Sequence, residues 1–189
     1  GTHTSYAYDA LDRVTRQTYP TGEIVTSTYD SASQPFSLVG MSKYVTSTTY
    51  NVLGQVRNID FGNGRSTRYR YFGLNVNPAW GTQKYGRVRQ ICVNNTTAGE
   101  CQDDGMSGDT ATTVLNLVYW YDAVGNITAI GDRSPGQGYG TAYSYDPLDR
   151  LISAGVPVTE TYTYNAVGNF VSKGGVTQSY TDPAHKHAV

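Results

Sequence analysis

Long apolar runs are missing from this chain of 189 residues. No stretch approaches the roughly 18 consecutive apolar residues that cross a bilayer as a helix, so membrane insertion is not expected. No segment holds apolar residues at i, i+3, i+4 and i+7 over three turns, which argues against helices. Charge is sparse and balanced, with 15% charged residues and a formal net charge of -1. That leaves no whole-chain field to attract nucleic acid or anionic lipid. Met and Phe are scarce, at 2 and 4 residues, whereas Tyr and Gly number 17 and 21. Tyrosine, threonine and valine stand where a helical protein would carry aliphatic residues, and all three favour strands. The chain opens without a charged-then-apolar leader and stops at His187-Ala188-Val189 without a capping segment. A fragment of a larger protein is expected.

Cysteine is also rare. Cys92 and Cys101 sit nine residues apart in a polar, turn-rich stretch. A hairpin would bring them within disulfide reach, and such a bond would imply an oxidising compartment; two free thiols are the alternative.

What the chain has is a repeat. Val118-Tyr119-Trp120-Tyr121-Asp122-Ala123-Val124-Gly125-Asn126-Ile127 is an alternating aromatic strand that ends in Tyr-Asp, then a short turn, then an apolar restart. Near copies begin at Tyr8-Asp9, Tyr145-Asp146 and Tyr164-Asn165, and looser ones at Tyr29-Asp30, Tyr50-Asn51 and Tyr71-Phe72. Tyr8, Tyr29, Tyr50 and Tyr71 are each 21 residues apart. A fixed period of this length signals a stacked architecture. Two strands of about six residues and two turns fill one period, so each repeat reads as a β-hairpin. Asn63-Gly64 reads as a hairpin turn in which both residues accept positive φ.

The period breaks after Tyr71. Residues 72–84 read as a loop inserted within one repeat, because Tyr85-Gly86-Arg87-Val88 resembles the second half of the motif. Residues 94–112 read as a second, polar insertion, and the whole of 1–189 as a single array.

Each motif element has a structural reason. Tyrosines two apart, such as Tyr143 and Tyr145, share one face of a strand and are expected to line up across neighbouring strands. The residue after the motif tyrosine is Asp or Asn in six of seven units, and its short acceptor side chain can bond backbone amides two residues on. Gly54, Gly125 and Gly168 then supply positive φ, with Gln55, Asn126 and Asn169 following; Asp12 and Asp149 take the glycine's place in two copies. Val14, Val56, Ile127, Leu151 and Phe170 are expected to point back into the core. Repetition at every turn argues for a structural rather than a catalytic role for the Tyr-Asp pairs.

The pattern Tyr-Asp-x-x-Gly-Asn/Arg-apolar, as in Tyr121-Asp122-Ala123-Val124-Gly125-Asn126-Ile127, resembles the tyrosine-aspartate (YD) repeat of the Rhs family. The ending Asp182-Pro183-Ala184-His185-Lys186-His187 resembles stretches found between such repeats. That family includes bacterial Rhs proteins, shell subunits of insecticidal toxin complexes and animal teneurins. The resemblance implies an all-β, spiral, solenoid-like strip of stacked antiparallel hairpins that can enclose a C-terminal effector, with repeats that are not themselves catalytic. Some family shells carry a self-cleaving Asp-Pro-x-Gly-Leu-like site. Here Asp182-Pro183 is followed by Ala184-His185, so that motif is absent.

Other chemistry is thin. His185-x-His187 would make half a zinc site but has no third ligand nearby. Asp103, Gly105, Ser107 and Asp109 have the spacing of a calcium loop, yet the third position is glycine and the twelfth is Val114 where a bidentate Glu is needed. No cofactor or metal is expected. Arg65, Arg68 and Arg70, with Lys84, Arg87 and Arg89, form the one dense basic region. Arg68 and Arg70 share a face, read as an exposed polar face, with contact to acidic glycans as the alternative.

The expectation is a non-catalytic structural segment of an extracellular or cell-surface bacterial protein, part of a shell or stalk that encloses or presents cargo. Its partners would be flanking repeats of the same parent chain, an enclosed effector, or cell-surface glycans, with end-to-end self-association through exposed strand edges. The alternative is a carbohydrate-binding module with Trp80 and Trp120 stacking on sugars.

Overall fold

A computed structural model describes residues 3–73, 85–97, 112–137, 140–155 and 159–180. Among them there is no helix, and fifteen strands follow one another. These are β1 (Ser5–Tyr8), β2 (Val14–Thr18), β3 (Ile24–Tyr29), β4 (Pro35–Val39), β5 (Lys43–Tyr50), β6 (Val56–Phe61), β7 (Ser66–Tyr71) and β8 (Val88–Asn94). They continue as β9 (Thr113–Tyr121), β10 (Ile127–Asp132), β11 (Gly140–Tyr145), β12 (Leu151–Ala154), β13 (Glu160–Tyr164), β14 (Phe170–Lys173) and β15 (Val176–Thr177). The hydrogen-bonding order is the chain order, so each strand pairs with those before and after it. This is the stacked-hairpin architecture that the period implied.

The residues pack as two compact units. The first comprises Gly1–Tyr71, Val88–Leu117 and Arg133–Gly136, and the second Phe72–Arg87, Val118–Asp132 and Gln137–Val189.

The register repeats with the sequence. Tyr8 faces Val14, Tyr29 faces Pro35, Tyr50 faces Val56, Tyr145 faces Leu151 and Tyr164 faces Phe170. Each time the register shifts at the tyrosine, which is the mark of a bulge closing a three-residue loop. The closing bonds are the same throughout. Asp9 N donates to Arg13 O at 3.0 Å and Asp12 N to Asp9 O at 3.1 Å. Asp30, Asn51, Asp146 and Asn165 repeat the pair.

The turns from β2 to β3 and from β6 to β7 use the same form. Phe61 N donates to Arg65 O and Gly64 N to Phe61 O, and only Gly64 has positive φ, at 80°. The two-residue Asn-Gly turn expected at Asn63-Gly64 is therefore replaced by a type I turn ending in a glycine bulge, which needs only one residue at positive φ.

The insertion after Tyr71 leaves the ladder in place. Tyr71 faces Val88 across β7 and β8. Phe72 N donates to Arg87 O at 2.9 Å and Gly86 N to Phe72 O at 2.8 Å, as in the short turns. Phe72 thus holds the aspartate's place rather than starting a loop. It is 2% exposed, with its ring edge-on to Tyr121 at 6.1 Å. Most of the expected insertion, residues 74–84, lies outside the described residues, as does 98–111 of the second. Asn94 belongs to β8 and pairs with Ser66.

Little of the strip is fully buried. Among the described residues, the buried hydrophobic ones are Val25, Phe72, Cys92 and Val118. The motif tyrosines from Tyr29 onward are half-buried. Phe170, expected in the core, is exposed, although its ring lies against Tyr162 and Tyr164. Tyr6 and Tyr8 of β1 are 51% and 58% exposed. β1 is the first strand in the order and has a neighbour on one side only.

Candidate functional site

The repeated Tyr-Asp turn is the feature that the fold builds most often. Its acidic residue organises its own loop. Asp9 Oδ1 accepts from Leu11 N at 2.9 Å and Arg13 N at 3.1 Å. Asp30 Oδ1 accepts from Ala32 N and Gln34 N, and Asp146 Oδ1 from Leu148 N and Arg150 N. Asn51 and Asn165 place a carbonyl oxygen in the same position, on Leu53 N and Gln55 N and on Val167 N and Asn169 N. Asp122 Oδ1 takes Gly125 N and Asn126 N instead. Where the loop needs a left-handed residue, Gly54, Gly125 and Gly168 have φ of 74°, 115° and 90°, and Asp12, Ser33 and Asp149 have 58°, 64° and 59°.

The second carboxylate oxygen fixes the residue that ends the turn. Arg13 Nε donates to Asp9 Oδ2 at 2.8 Å and Arg150 Nε to Asp146 Oδ2 at 2.7 Å, each with a second guanidinium contact. These arginines hold the Asp9 and Asp146 carboxyls below the ordinary carboxylate range. At Asp122 burial pushes upward, but the bonds from Gly125 and Asn126 outweigh it and the net shift is downward.

The tyrosine joins one repeat to the one before. Tyr29 donates its hydroxyl to Val14 O, Tyr50 to Pro35 O, Tyr71 to Val56 O, Tyr145 to Ile127 O and Tyr164 to Leu151 O, all at 2.6–2.8 Å. In each case the acceptor is the first residue after the preceding turn. The turn-ending arginine reaches the same ring: Arg13 lies 4.3 Å over Tyr29, Arg150 4.6 Å over Tyr164 and Arg87 5.3 Å over Tyr121. Burial raises the phenol pKa of Tyr50, Tyr71, Tyr121 and Tyr145.

Sequence reasoning placed the tyrosines and turn residues but missed this joint. The signal was available: Arg, Gln or Asn recurs as the last turn residue, one before the accepting carbonyl.

It also missed a polar interior in the first unit. Ser66, Gln90, Asn94 and Asn116 are no more than 2% exposed. Gln90 Nε2 donates to Asn116 Oδ1 at 2.6 Å, Asn116 N to Ser134 Oγ at 2.9 Å and Thr113 Oγ1 to Asn94 Oδ1 at 3.4 Å. Arg70 donates to Gln90 Oε1 at 3.0 Å, and Arg68 to Thr97 O at 3.3 Å. The face shared by Arg68 and Arg70 is therefore not the exposed one expected. Across the ladder Arg68 meets Cys92 and Arg70 meets Gln90, so both guanidiniums are half-buried within a polar network. Polar groups at this depth need such partners, because an unpaired one is costly.

The other candidates divide simply. Cys92 is buried and disulfide-bonded, while Cys101, the chain's only other cysteine, lies outside the described residues. Trp120 is half-buried in β9, and Trp80 lies outside the described residues. So do His185 and His187, Asp103 through Asp109 and the Asp182-Pro183 ending. Among the described residues no group of three or more His, Cys, Asp or Glu could hold a metal ion, and no helix is long and apolar enough to cross a membrane.

Comparison with known proteins agrees with this picture. The RHS Repeat family model matches residues 1–24 and 121–159. Among solved structures, a Photorhabdus luminescens Tc holotoxin pore is similar with a TM-score of 0.68 and 24% identity, covering 90% of this chain and 9% of that one. A TcdB2-TccC3 crystal structure gives a TM-score of 0.67 and 24% identity over 89% of this chain and 9% of its own. A TcdB2-TccC3-TEV structure gives 0.68 and 24%, over 97% and 9%. The likeness is one of fold, and the chain spans about a tenth of the length of each. No curated protein sequence matches it.

Proposed function

We propose that this chain, which carries RHS repeats, is a non-catalytic β-scaffold segment of a secreted or cell-surface bacterial protein. It forms part of a wall that encloses or presents a toxin or other cargo. The observation that carries this reading is where the motif's polar atoms go. Each aspartate or asparagine oxygen is engaged by its own turn, and five motif hydroxyls are engaged by the preceding repeat. Groups spent on joining repeats are poorly placed to act on a substrate. A disulfide at Cys92 suits an oxidising compartment. The fold shared with toxin-complex structures supports a wall rather than a stalk.

The test is electron microscopy and limited proteolysis of the parent polypeptide that contains this segment. The expected result is a hollow particle that shields a protease-resistant internal fragment. A solid or extended particle whose every segment is cleaved at the same rate would exclude the enclosing role.

A further inference from the structure

The buried positions of β8 alternate as Gln90, Cys92 and Asn94. Ser66 of β7, Thr113 and Asn116 of β9, and Ser134 are buried with them. Among the described residues of the first unit, the buried hydrophobic ones are Val25 and Cys92. Val25 belongs to β3, so Cys92 alone is both apolar and buried in the β7–β9 part of that unit.

The surroundings of Cys92 are amides and hydroxyls. Asn94 Nδ2 approaches Cys92 Sγ at 3.6 Å, and Thr113 Oγ1 donates to Asn94 Oδ1 at 3.4 Å. Gln90 Nε2 donates to Asn116 Oδ1 at 2.6 Å, and Ser66 Oγ to Thr96 O at 3.0 Å. Arg68 faces Cys92 across the ladder. Such a network exchanges bonds with water for bonds within the protein and gains little on balance. It draws little from the hydrophobic effect, which is what holds an apolar core together. The disulfide at Cys92 supplies what burial does not, because a cross-link removes conformations from the opened state.

We propose that the Cys92 disulfide makes β7–β9 a redox-sensitive part of the scaffold, which a thiol reductant loosens while β2–β4 keep their order. The consequence rests on the scaffold reading and adds a regulation to it: a wall carried into a reducing compartment weakens at this one place. The reductant is a dithiol by class. Its thiolate attacks one sulfur of the bond, the other sulfur leaves as a thiolate, and the second thiol of the reductant resolves the mixed disulfide. Two electrons pass to the chain's sulfurs, two protons complete the thiols, and the reductant ends as a disulfide. Cys92 is 1% exposed, so its sulfur is the one that leaves rather than the one attacked.

The experiment treats the full chain with dithiothreitol without denaturant, checks complete reduction by thiol counting, and reads hydrogen exchange before and after. Exchange in Ser66–Tyr71, Val88–Asn94 and residues 113–117 should quicken by about thirty-fold, the factor for a disulfide at the low end of its usual contribution. Exchange in β2–β4 should not change. Cys92→Ala should exchange fast in the same strands with or without reductant. Equal exchange at β7–β9 before and after reduction would overturn the proposal. So would acceleration spread evenly over the unit, which marks a general loss of stability, or a bond that resists the reductant until the chain is denatured. These results leave the scaffold reading standing, since that is decided by the shape and protease protection of the parent particle under oxidising conditions.

Discussion

Tyr71 donates its hydroxyl to the carbonyl of Val56 at 2.8 Å, fifteen residues earlier in the chain. The same bond recurs, with the same type of acceptor position, at Tyr29, Tyr50, Tyr145 and Tyr164. It attaches one repeat to the next by a side chain, in addition to the backbone ladder. Tyr71→Phe keeps the ring and removes the bond. We expect a loss of about 1 kcal/mol in urea unfolding, against no measurable change for Tyr85→Phe, whose ring is exposed. Equal effects at the two sites would show that the hydroxyl contributes nothing to the joint.

The turn aspartates predict an order among substitutions. Asp122 accepts from Gly125 N, Asn126 N and Asn126 Nδ2. Asparagine fills the same place at Asn51 and Asn165 and keeps the amide-accepting oxygen. Asp122→Asn should therefore be milder than Asp122→Ala in thermal unfolding. If the two melt together, the carboxylate's charge rather than its Oδ1 geometry is what the turn uses.

The ionisable groups bound a pH window. Asp9, Asp122 and Asp146 have folded pKa values below their ordinary value, so the folded state holds fewer protons than the unfolded one in the acid range. The stability they contribute is present above about pH 4 and is lost as pH falls through the folded values. Tyr50, Tyr71, Tyr121 and Tyr145 are shifted upward by burial. Their contribution is present below about pH 10 and is lost as pH rises through the folded values. Urea midpoints measured from pH 2 to 11 should form a plateau between these limits, and a steady slope across neutral pH would contradict it.

Two glycines separate backbone crowding from side-chain crowding. A Cβ on Gly62 would sit 1.6 Å from the carbonyl oxygen of Lys43, which cannot swing aside. Gly62→Ala should cost at least the ~1–3 kcal/mol typical of overpacking. A Cβ on Gly125 would meet the Arg87 guanidinium at 2.0 Å, and its φ is 115°. Gly168 has φ of 90° but open space around it. Gly125→Ala should cost more than Gly168→Ala in the native chain and about the same in an Arg87→Ala background. Failure of the two costs to converge would mean that Arg87 does not occupy that space in solution.

The cysteine pairing predicts a count. Cys92 is disulfide-bonded and the sequence has one other cysteine, so the denatured, unreduced monomer should show no reactive thiol and the reduced one two. One or more thiols before reduction would rule out the pair.

The strands, the turns and the repeat register were legible because a period of 21 and paired tyrosines are local signals. The aspartates at Asp12 and Asp149 were legible as left-handed residues because they stand where other copies have glycine. The joint between repeats was not. It depends on Tyr145 meeting Ile127 and on Arg13 meeting Tyr29, pairs that become neighbours only once the hairpins lie side by side. The polar interior around Asn116 was illegible for a different reason. Alternation within β8 and β9 shows which residues share a face but not whether that face is wet. Arg68 and Arg70 read as solvent-facing, and Asn94 as the start of a polar insertion, until their partners are seen. Asn63-Gly64 misled because one dipeptide serves two turn types, and only the flanking Phe61–Arg65 bond separates them.

The closure at Tyr71 and Val88 is the same as at Tyr8 and Val14, although sixteen residues lie between the first pair and five between the second. The same two backbone bonds close the base of both turns, and the ladder of β7 and β8 continues from there. A scaffold of this kind can take up foreign sequence at its rim, one repeat at a time, without any change to the ribbon beneath. New surface features can therefore be gained while the joinery that holds the strip together is kept.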